Sequence, residues 1–282
     1  MPFATFSEIL KIADDNRFAV AAVNIFNAES AVWAVKAAER ERLPVILMLY
    51  PERESIVPMS VTAAIIRALA AQSEVPVSAH LDHSSTFDLA ISAIPAGFNS
   101  TMFDGSSLPY DENAAITKQV VNVARLFKVG VEAELGHVGS NDKTGELYNK
   151  DLYTNPDDAV KFVEHTGIDA LGVAIGTSHG VYYSEPNLDI ARLDEINKKV
   201  STPLVLHGGS GTPREQLSEA VRHGINKVNI GTEFMAKSKK AVGKYISDNN
   251  YIMDNMEKAG EEVIELMRDR MNILNPFGYR LP

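Results

Sequence analysis

Three histidines stand at the ends of three short apolar segments of this sequence. They are His83, His179 and His207, and Asp82 directly precedes the first of them. A single histidine at such a place is more often a hydrogen-bonded structural residue than a ligand. Three imidazoles brought together beside a carboxylate suit a divalent transition metal with an open coordination position, most simply Zn²⁺. The sequence therefore predicts a reactive metal site.

Three other histidines carry no such prediction. His80 lies two positions before Asp82 on the same strand face, and we expect it to pack against or support the site. His165 and His223 fall late in helical patterns, so we expect them at helix ends or on the surface.

Two glycine-rich turns follow the last two apolar segments, at residues 208–211 (GGSG) and 231–232 (GT). Backbone N–H groups in such turns, together with the N-terminus of a following helix, can face a phosphate group. Tight turns need glycine in any case, so one such turn is weak evidence. The presence of two favours a phosphate pocket.

Eight short segments rich in Val, Ile, Leu and Ala alternate with longer amphipathic stretches. Their length and continuous apolar character are typical of strands buried on both faces of a parallel sheet. The predicted strands are 19–25, 45–50, 77–82, 100–104, 130–135, 170–176, 204–208 and 227–231. The predicted helices between them are 28–42, 60–72, 111–127, 155–164, 188–198 and 213–222.

Eight βα units predict the α/β class and a TIM (β/α)₈ barrel, with the catalytic groups at the carboxyl ends of the strands. A doubly wound sheet is disfavoured, because no Gly-x-Gly-x-x-Gly turn follows the first strand. A helix at 5–14 is expected to close the lower end of the barrel, and 254–272 is expected to form a C-terminal helical tail. No linker divides the chain, so we expect a single domain over residues 1–282.

Composition excludes several classes of function. The chain has 27 Lys and Arg against 37 Asp and Glu, a net charge of −10, which disfavours nucleic acid and anionic membranes as partners. It has no cysteine, so disulfides, thiolate zinc sites and cysteine nucleophiles are excluded. Because we find neither a signal-peptide pattern nor an apolar run of about 18 residues, a cytoplasmic location is expected.

Six ordered motifs resemble the class II, zinc-dependent ketose-bisphosphate aldolases, in the branch of the fructose- and tagatose-bisphosphate aldolases. The similarity is nearly continuous from residue 18 to about residue 232. The motifs are His80-Leu-Asp-His83, Asp104-Gly-Ser-Ser-Leu-Pro109, Val131-Glu-Ala-Glu-Leu-Gly136, Gly176-Thr-Ser-His-Gly180, Leu206-His-Gly-Gly-Ser-Gly-Thr-Pro213 and Asn229-Ile-Gly-Thr-Glu233.

The resemblance implies a TIM-barrel lyase of carbohydrate metabolism, as in glycolysis, that releases dihydroxyacetone phosphate through a zinc-stabilised ene-diolate. It implies that His83, His179 and His207 are the zinc ligands, with Glu134 as an alternative ligand. It implies that Asp82 is the acid/base on the C4 hydroxyl, and Asn229 can donate a hydrogen bond to the ene-diolate.

The resemblance also implies a binding site for the sugar phosphate. Its predicted residues are Asn24, Gly180, Gly208, Gly209, Ser210, Asn229, Ile230, Gly231 and Thr232. A monovalent cation is a further expected cofactor, and a homodimer or homotetramer is the expected assembly.

Three departures from the family pattern are present, and the second and third concern the aldehyde half of the substrate. The family's loop motif Gly-Gly-x-Glu, whose Glu handles the C3 proton, is replaced by residues 139–142 (GSND), so Asp142 is expected to take that role. Met48-Leu-Tyr50 stands where many members have Gln-x-Ser, and the Asp-Pro-Arg of the tail is missing. Arg53, or one of Arg268, Arg270 and Arg280, is a candidate replacement for that arginine.

These departures leave alternatives open. The leading hypothesis is an aldolase acting on a ketose 1-phosphate or 1,6-bisphosphate. The second is the same chemistry on a ketose 1-phosphate whose far end is a sulfonate, a carboxylate or neutral. A non-catalytic sugar-phosphate-binding barrel and a metal-dependent hydrolase are remote alternatives.

Overall fold

A computed structural model describes residues 3–140, 149–246 and 251–282 of the chain, apart from the side chains of Arg53 and Ser140. Eight parallel strands form a closed barrel, which confirms the predicted TIM barrel. The barrel strands are β1 (Val20–Asn24), β2 (Val45–Leu49), β3 (Val77–Ser84), β4 (Ser100–Phe103), β5 (Gly130–Leu135), β7 (Ala170–Val173), β9 (Leu204–Leu206) and β10 (Ile225–Ile230). Each pairs with the next, and β10 pairs with β1. Two short strands, β6 (Gly139–Ser140) and β8 (Ser178–His179), pair with each other outside the barrel.

Helices surround the barrel in alternation with its strands. They are α2 (Ala28–Glu41), α3 (Met59–Ala70), α4 (Phe87–Ala96), α5 (Tyr110–Leu126), α6 (Pro156–Thr166), α7 (Ile190–Lys199), α8 (Arg214–Arg222) and α9 (Thr232–Tyr245). The sequence patterns delimit neither α4 nor α9, because α4 is mostly apolar and contains Pro95, and α9 begins directly after the turn at Gly231. Within the described residues, no helix is both long and apolar enough to cross a membrane.

The two predicted terminal helices are present. α1 (Phe6–Asp15) covers the lower end of the barrel, where Phe6 stacks on His80 with ring centroids 5.3 Å apart. A Cβ atom at Gly130, at the start of β5, would lie 2.8 Å from Phe6 Cβ, so this glycine admits the helix. α10 (Ile252–Ile273) packs against α2 and α9.

The barrel strands are buried on both faces, as their apolar sequences predict. Charged side chains interrupt this pattern, and two of them pair with each other. Glu132 on β5 and Lys227 on β10 are both fully buried inside the barrel. Glu132 contacts His207 and Lys227 contacts Asn229, both of which are predicted site residues.

Candidate active site

Asp82 and His83 lie side by side at the mouth of the barrel, although successive residues of a strand normally point to opposite faces. His83 has a φ of 45°, in the left-handed region that residues other than glycine seldom adopt. The pairing of β3 with β4 is irregular between Leu81 and Ser84. This local turn places His83 Nε2 at 3.8 Å from Asp82 Oδ1, and such backbone strain is often found at functional positions.

The three predicted histidines converge at this mouth. His179 ends β8 and His207 directly follows β9. One ring nitrogen from each of His83, His179 and His207 lies within 4.8 Å of the others. His83 Nε2 and His207 Nδ1 are 2.9 Å apart.

Carboxylates hold the opposite nitrogen of two of these rings. Asp104 Oδ2 lies 2.8 Å from His83 Nδ1, and Glu132 Oε1 lies 2.9 Å from His207 Nε2. With a proton on each of those outer nitrogens, the inner nitrogens face one another with lone pairs. His179 Nε2 is buried and has no hydrogen-bond partner in the described part of the chain. This donor set fits a divalent metal whose ligands are oriented by carboxylates.

The environment separates the pKa values of these rings. Burial, together with the neighbouring His83, lowers the pKa of His179 to about 3 and lowers that of His207 well below its usual value. Burial also disfavours protonation of His83, but Asp82 and Asp104 outweigh it and raise the pKa of His83 to about 9.

Glu134 lies close to the same group. Burial, together with Asp104, raises the pKa of Glu134 to about 8. Its Oε1 atom accepts from the backbone N–H of Val138 at 3.1 Å. Glu134, Asp104 and His83 also offer atoms within 4.8 Å of one another, which is compatible with a ligand role for Glu134.

Two asparagines hold the Asp82 carboxylate. Asn24 Nδ2 donates to Oδ2 at 2.8 Å, and Asn229 Nδ2 donates to Oδ1 at 3.3 Å. Asp82 is only 3% exposed, and it lines the cavity beside the histidines. A carboxylate oriented in this way can accept a proton from a bound molecule.

The glycine-rich turns form the adjoining wall. Gly208 has a φ of 68°, and a Cβ atom there would lie 2.4 Å from Ser178 O, so only glycine fits. Ser210 Oγ accepts from the backbone N–H groups of Gly231 and Glu233, both at 3.2 Å. α9 begins after Gly231, which has no side chain to cap the helix; Ser210 Oγ takes the N–H of Glu233, and the other N–H groups of the first turn can face an anion.

A cavity of about 520 Å³ joins these groups. The predicted substrate-binding residues that line it are Asn24, Gly180, Gly208, Ser210, Asn229, Gly231 and Thr232. Gly209 and Ile230 are not among the lining residues. A Cβ atom at Gly209 would lie 2.4 Å from Val228 Cγ1, and Ile230 is 1% exposed in the core.

The far part of the cavity, across the barrel from the glycine-rich turns, is lined by residues that follow β2 and β3. They are Tyr50, Ser85 and Leu89, which are uncharged, and Glu52. Among the described side chains, which do not include that of Arg53, no lysine or arginine lines the cavity.

Met48 and the three tail arginines, which the motif comparison connected with this far end, have other positions. Met48 is fully buried in the core. Arg268 and Arg280 pair with Glu41, and Arg270 pairs with Glu233, so none of the three lines the cavity. Asp142 and the side chain of Arg53 lie outside the described residues.

Sequence reasoning assigned no role to several residues of the site. Asp104, Glu132 and Lys227 each contact a predicted functional residue. His137 lines the cavity, with Nδ1 at 3.5 Å from Ser106 Oγ. The sequence marks Glu132 and Lys227 only as charged residues within strands that are buried along their whole length.

Comparison with known proteins agrees with this geometry. The family "Fructose-bisphosphate aldolase class-II" matches residues 4–278. The chain belongs to this family. The class II family consists of lyases that are generally metal-dependent and act on sugar phosphates, so the chain is a lyase.

Three relatives illustrate how far the similarity extends. A probable fructose-bisphosphate aldolase of Bacillus subtilis is 37% identical over 279 residues, covering 95% of this chain and 98% of that protein. The crystal structure of the YdjI aldolase of Escherichia coli K12 matches with a TM-score of 0.87 and 31% identity, over 97% of this chain and 98% of that one. A putative fructose-1,6-bisphosphate aldolase of Coccidioides immitis matches with a TM-score of 0.85 and 27% identity, over 96% of both chains.

Proposed function

We propose that this class II aldolase uses Zn²⁺ to cleave a ketose 1-phosphate or ketose 1,6-bisphosphate, of the fructose or tagatose type, reversibly to dihydroxyacetone phosphate and an aldehyde. The observation that carries the proposal is the convergence of His83, His179 and His207 beside Asp82, at a cavity lined by His83, His179, Asp82 and the turn at Gly208. Groups suited to a metal, a proton and a phosphate then surround a single substrate.

His83, His179 and His207 would hold the Zn²⁺ ion, with Glu134 as an alternative ligand. When bound, the ion supplies a Lewis acid for the oxygens of the ketone half. Asp104 and the buried Glu132 support this assignment, because each contacts the second nitrogen of a ligand ring. The family resemblance supports a monovalent cation as a second bound ion.

Asp82 accepts the proton of the C4 hydroxyl as the C3–C4 bond breaks. Asn24 and Asn229 orient its carboxylate, and Asn229 also donates to the oxygen that becomes negative in the ene-diolate. C3 then needs a proton, and Asp142 is the proposed donor on the basis of its place in the sequence motif. Replacing Asp142 with alanine is expected to slow exchange of the C3 proton more than it weakens binding of dihydroxyacetone phosphate.

Gly180, residues 208–210 and residues 229–232 bind the phosphate of the ketone half. The start of α9 at Gly231, which has no side chain of its own to cap the helix, and the lining positions of Gly208, Ser210 and Thr232 support this role. Gly209 and Ile230 contribute through the backbone of the turns and not through their side chains.

The far part of the cavity favours a second candidate within the same chemistry. This candidate is a ketose 1-phosphate whose far end is a sulfonate, a carboxylate or neutral. A phosphate dianion removed from water needs basic or several hydrogen-bonding partners, whereas the charged group described there is Glu52. Because a carboxylate repels an anion, a neutral far end is favoured among these options.

The remaining parts of the proposal rest on the family resemblance and the composition. We propose a cytoplasmic homodimer or homotetramer whose protomer is a single domain over residues 1–282, acting in carbohydrate metabolism. The net charge of −10 favours neither nucleic acid nor a membrane surface as a partner.

A panel of aldehydes offered with dihydroxyacetone phosphate in the condensation direction tests the proposal. The panel contains glyceraldehyde 3-phosphate, a carboxylated aldehyde, a sulfonated aldehyde and uncharged aldehydes of three and four carbons. We expect an uncharged aldehyde to match or exceed glyceraldehyde 3-phosphate in kcat/KM. An advantage of about a hundredfold for glyceraldehyde 3-phosphate, or about 2.7 kcal/mol, would favour the bisphosphate. Condensation with none of them would contradict the aldolase proposal.

A further inference from the structure

A buried ion pair lies beneath the three histidines, inside the barrel. Lys227 Nζ is 2.8 Å from Glu132 Oε2 and 3.1 Å from Glu132 Oε1, and both side chains are fully buried. The third contact of the ammonium is Asn229 Oδ1, at 2.7 Å. Lys227 does not line the substrate cavity. The two residues that it contacts do touch the site, because Glu132 contacts His207 and Asn229 contacts Asp82.

Stability alone does not account for this pair. Burying two charges costs desolvation free energy that their attraction only partly offsets, and apolar side chains of similar volume are often equally stable in such places. The pair is distinguished by what it touches, because Glu132 contacts His207 and Lys227 contacts Asn229.

The contact with Asn229 sets the direction of its side-chain amide. An ammonium group only donates hydrogen bonds, so the atom facing Lys227 is the carbonyl oxygen Oδ1. The Nδ2 group therefore points the other way, at 3.3 Å from Asp82 Oδ1 and 3.2 Å from His207 Nδ1. A reversed amide would place its oxygen against the Asp82 carboxylate and would offer the substrate an acceptor in place of a donor.

The contact with Glu132 sets the proton position on His207. Glu132 Oε1 lies 2.9 Å from His207 Nε2, and a carboxylate held by an ammonium accepts the N–H at that distance. A neutral imidazole carries one proton, so His207 Nδ1 keeps its lone pair toward His83. Gly172 leaves room for this arrangement, since a Cβ atom there would lie 3.2 Å from His207 Nε2.

We propose that Lys227 is a positioning residue of this site, whose single ammonium group fixes both the direction of the Asn229 amide and, through Glu132, the tautomer of His207. The Asn229 part rests on the proposed aldolase function. The His207 part concerns metal binding and does not depend on which reaction follows.

The test compares Glu132→Gln with the double variant Lys227→Met/Glu132→Gln, both at saturating Zn²⁺. Glu132→Gln weakens the acceptor of His207 but keeps the donor to Asn229. We therefore expect its metal affinity to fall about 10- to 100-fold, and its kcat at saturating metal is the reference for the double variant. The double variant also removes the donor and leaves no buried charge unpaired. Its kcat is expected to fall a further 10- to 100-fold or so, with KM nearly unchanged, because Asn229 acts on the ene-diolate.

Equal kcat values for the two proteins would overturn the role of Lys227 toward Asn229. The variant Lys227→Leu/Glu132→Gln gives a second neutral pair of different shape, in case the first does not fold. The matched control is Lys199→Met/Glu195→Gln, which removes an ion pair on the outer surface of α7 and should change neither metal affinity nor kcat.

The visible absorption spectrum of the Co²⁺-loaded protein gives a readout that is independent of activity. We expect Glu132→Gln to alter this spectrum and the Lys199→Met/Glu195→Gln control to leave it unchanged. An unaltered spectrum with unaltered Co²⁺ affinity in Glu132→Gln would overturn the role toward His207. A wild-type protein that binds metal but has no aldolase activity would instead overturn the proposed function.

Discussion

His83 Nε2 lies 2.9 Å from His207 Nδ1, while the outer nitrogen of each ring faces a carboxylate. Asp104 and Glu132 draw a proton to those outer nitrogens, so the two inner nitrogens require a positive charge between them. In the metal-free protein that charge is a proton on His83, whose pKa is raised to about 9 by Asp82 and Asp104 against the effect of burial. In the loaded protein, a metal ion held by these two nitrogens would supply that charge instead.

The affinity for metal should therefore depend on pH in a defined direction. Below pH 9 the protonated His83 competes with the metal, so affinity should rise about tenfold per pH unit from pH 7 to 9 and level off above it. His179 and His207 add no proton, because burial lowers both pKa values. Chelator competition at several pH values measures this. A flat profile would mean that His83 is already neutral.

Glu134 provides the control for that profile. Burial raises its pKa to about 8, so a role as ligand would release a second proton. The variant Glu134→Gln should keep the slope due to His83. If Glu134→Gln abolishes the dependence of metal affinity on pH, the titrating group is Glu134 and not His83.

Removal of one ligand should remove the metal. We expect His179→Ala to lose more than about 100-fold in Zn²⁺ affinity, beyond the usual cost of losing a residue that only supports a ligand. His165→Ala is the matched control, since His165 is exposed on α6. The zinc content after dialysis and the rate of cleavage are measured for both variants. Full metal and full rate in His179→Ala would show that the ligand assignment is wrong.

Replacement of Asp82 should separate bond cleavage from metal binding. We expect Asp82→Ala to keep its Zn²⁺ and to lower kcat about 10²- to 10⁴-fold, the usual cost of a lost general acid/base. Exchange of the C3 proton of dihydroxyacetone phosphate should continue, because that step does not involve the C4 hydroxyl. Loss of zinc without a separate effect on the rate would make Asp82 a structural residue.

Replacement of Gly208 and of Gly243 by alanine should have opposite effects on the stability of the fold. Gly208→Ala places a side chain at a φ of 68°, at a cost of about 1–2 kcal/mol, and its Cβ atom would meet Ser178 O at 2.4 Å. The turn must shift, so KM for the sugar phosphate should rise. Gly243→Ala, on α9 with open space around it, should stabilise the fold by about 0.5–1 kcal/mol and leave KM unchanged. Denaturant unfolding and steady-state kinetics measure both, and an unchanged KM in Gly208→Ala would contradict the phosphate assignment.

The barrel was predictable because its strands are short, continuous apolar segments, and their order alone places their carboxyl ends together. The meeting of His83, His179 and His207 follows from that order. The inward turn of His83 does not, because strand alternation places it on the face opposite Asp82 and only the irregular pairing of β3 with β4 reverses this. The contact between Glu132 and His207 joins residues 75 positions apart, and it depends on barrel geometry that no local pattern contains.

The far end of the cavity was the least predictable part. Met48 and Tyr50 would share one strand face, but Met48 lies within β2 and is buried in the core, whereas Tyr50 directly follows the end of β2 and lines the cavity. The tail arginines have partners distant in sequence, as in the pairing of Arg270 with Glu233, and composition cannot reveal such partners.

Exchange of the C3 proton of dihydroxyacetone phosphate with deuterated water, followed by NMR without any aldehyde, most directly tests the central claim of a zinc aldolase. We expect exchange with the Zn²⁺-loaded protein, its loss after treatment with a chelator, and its recovery when Zn²⁺ is returned. No exchange by the loaded protein, or exchange at full rate by the metal-free protein, would contradict the claim.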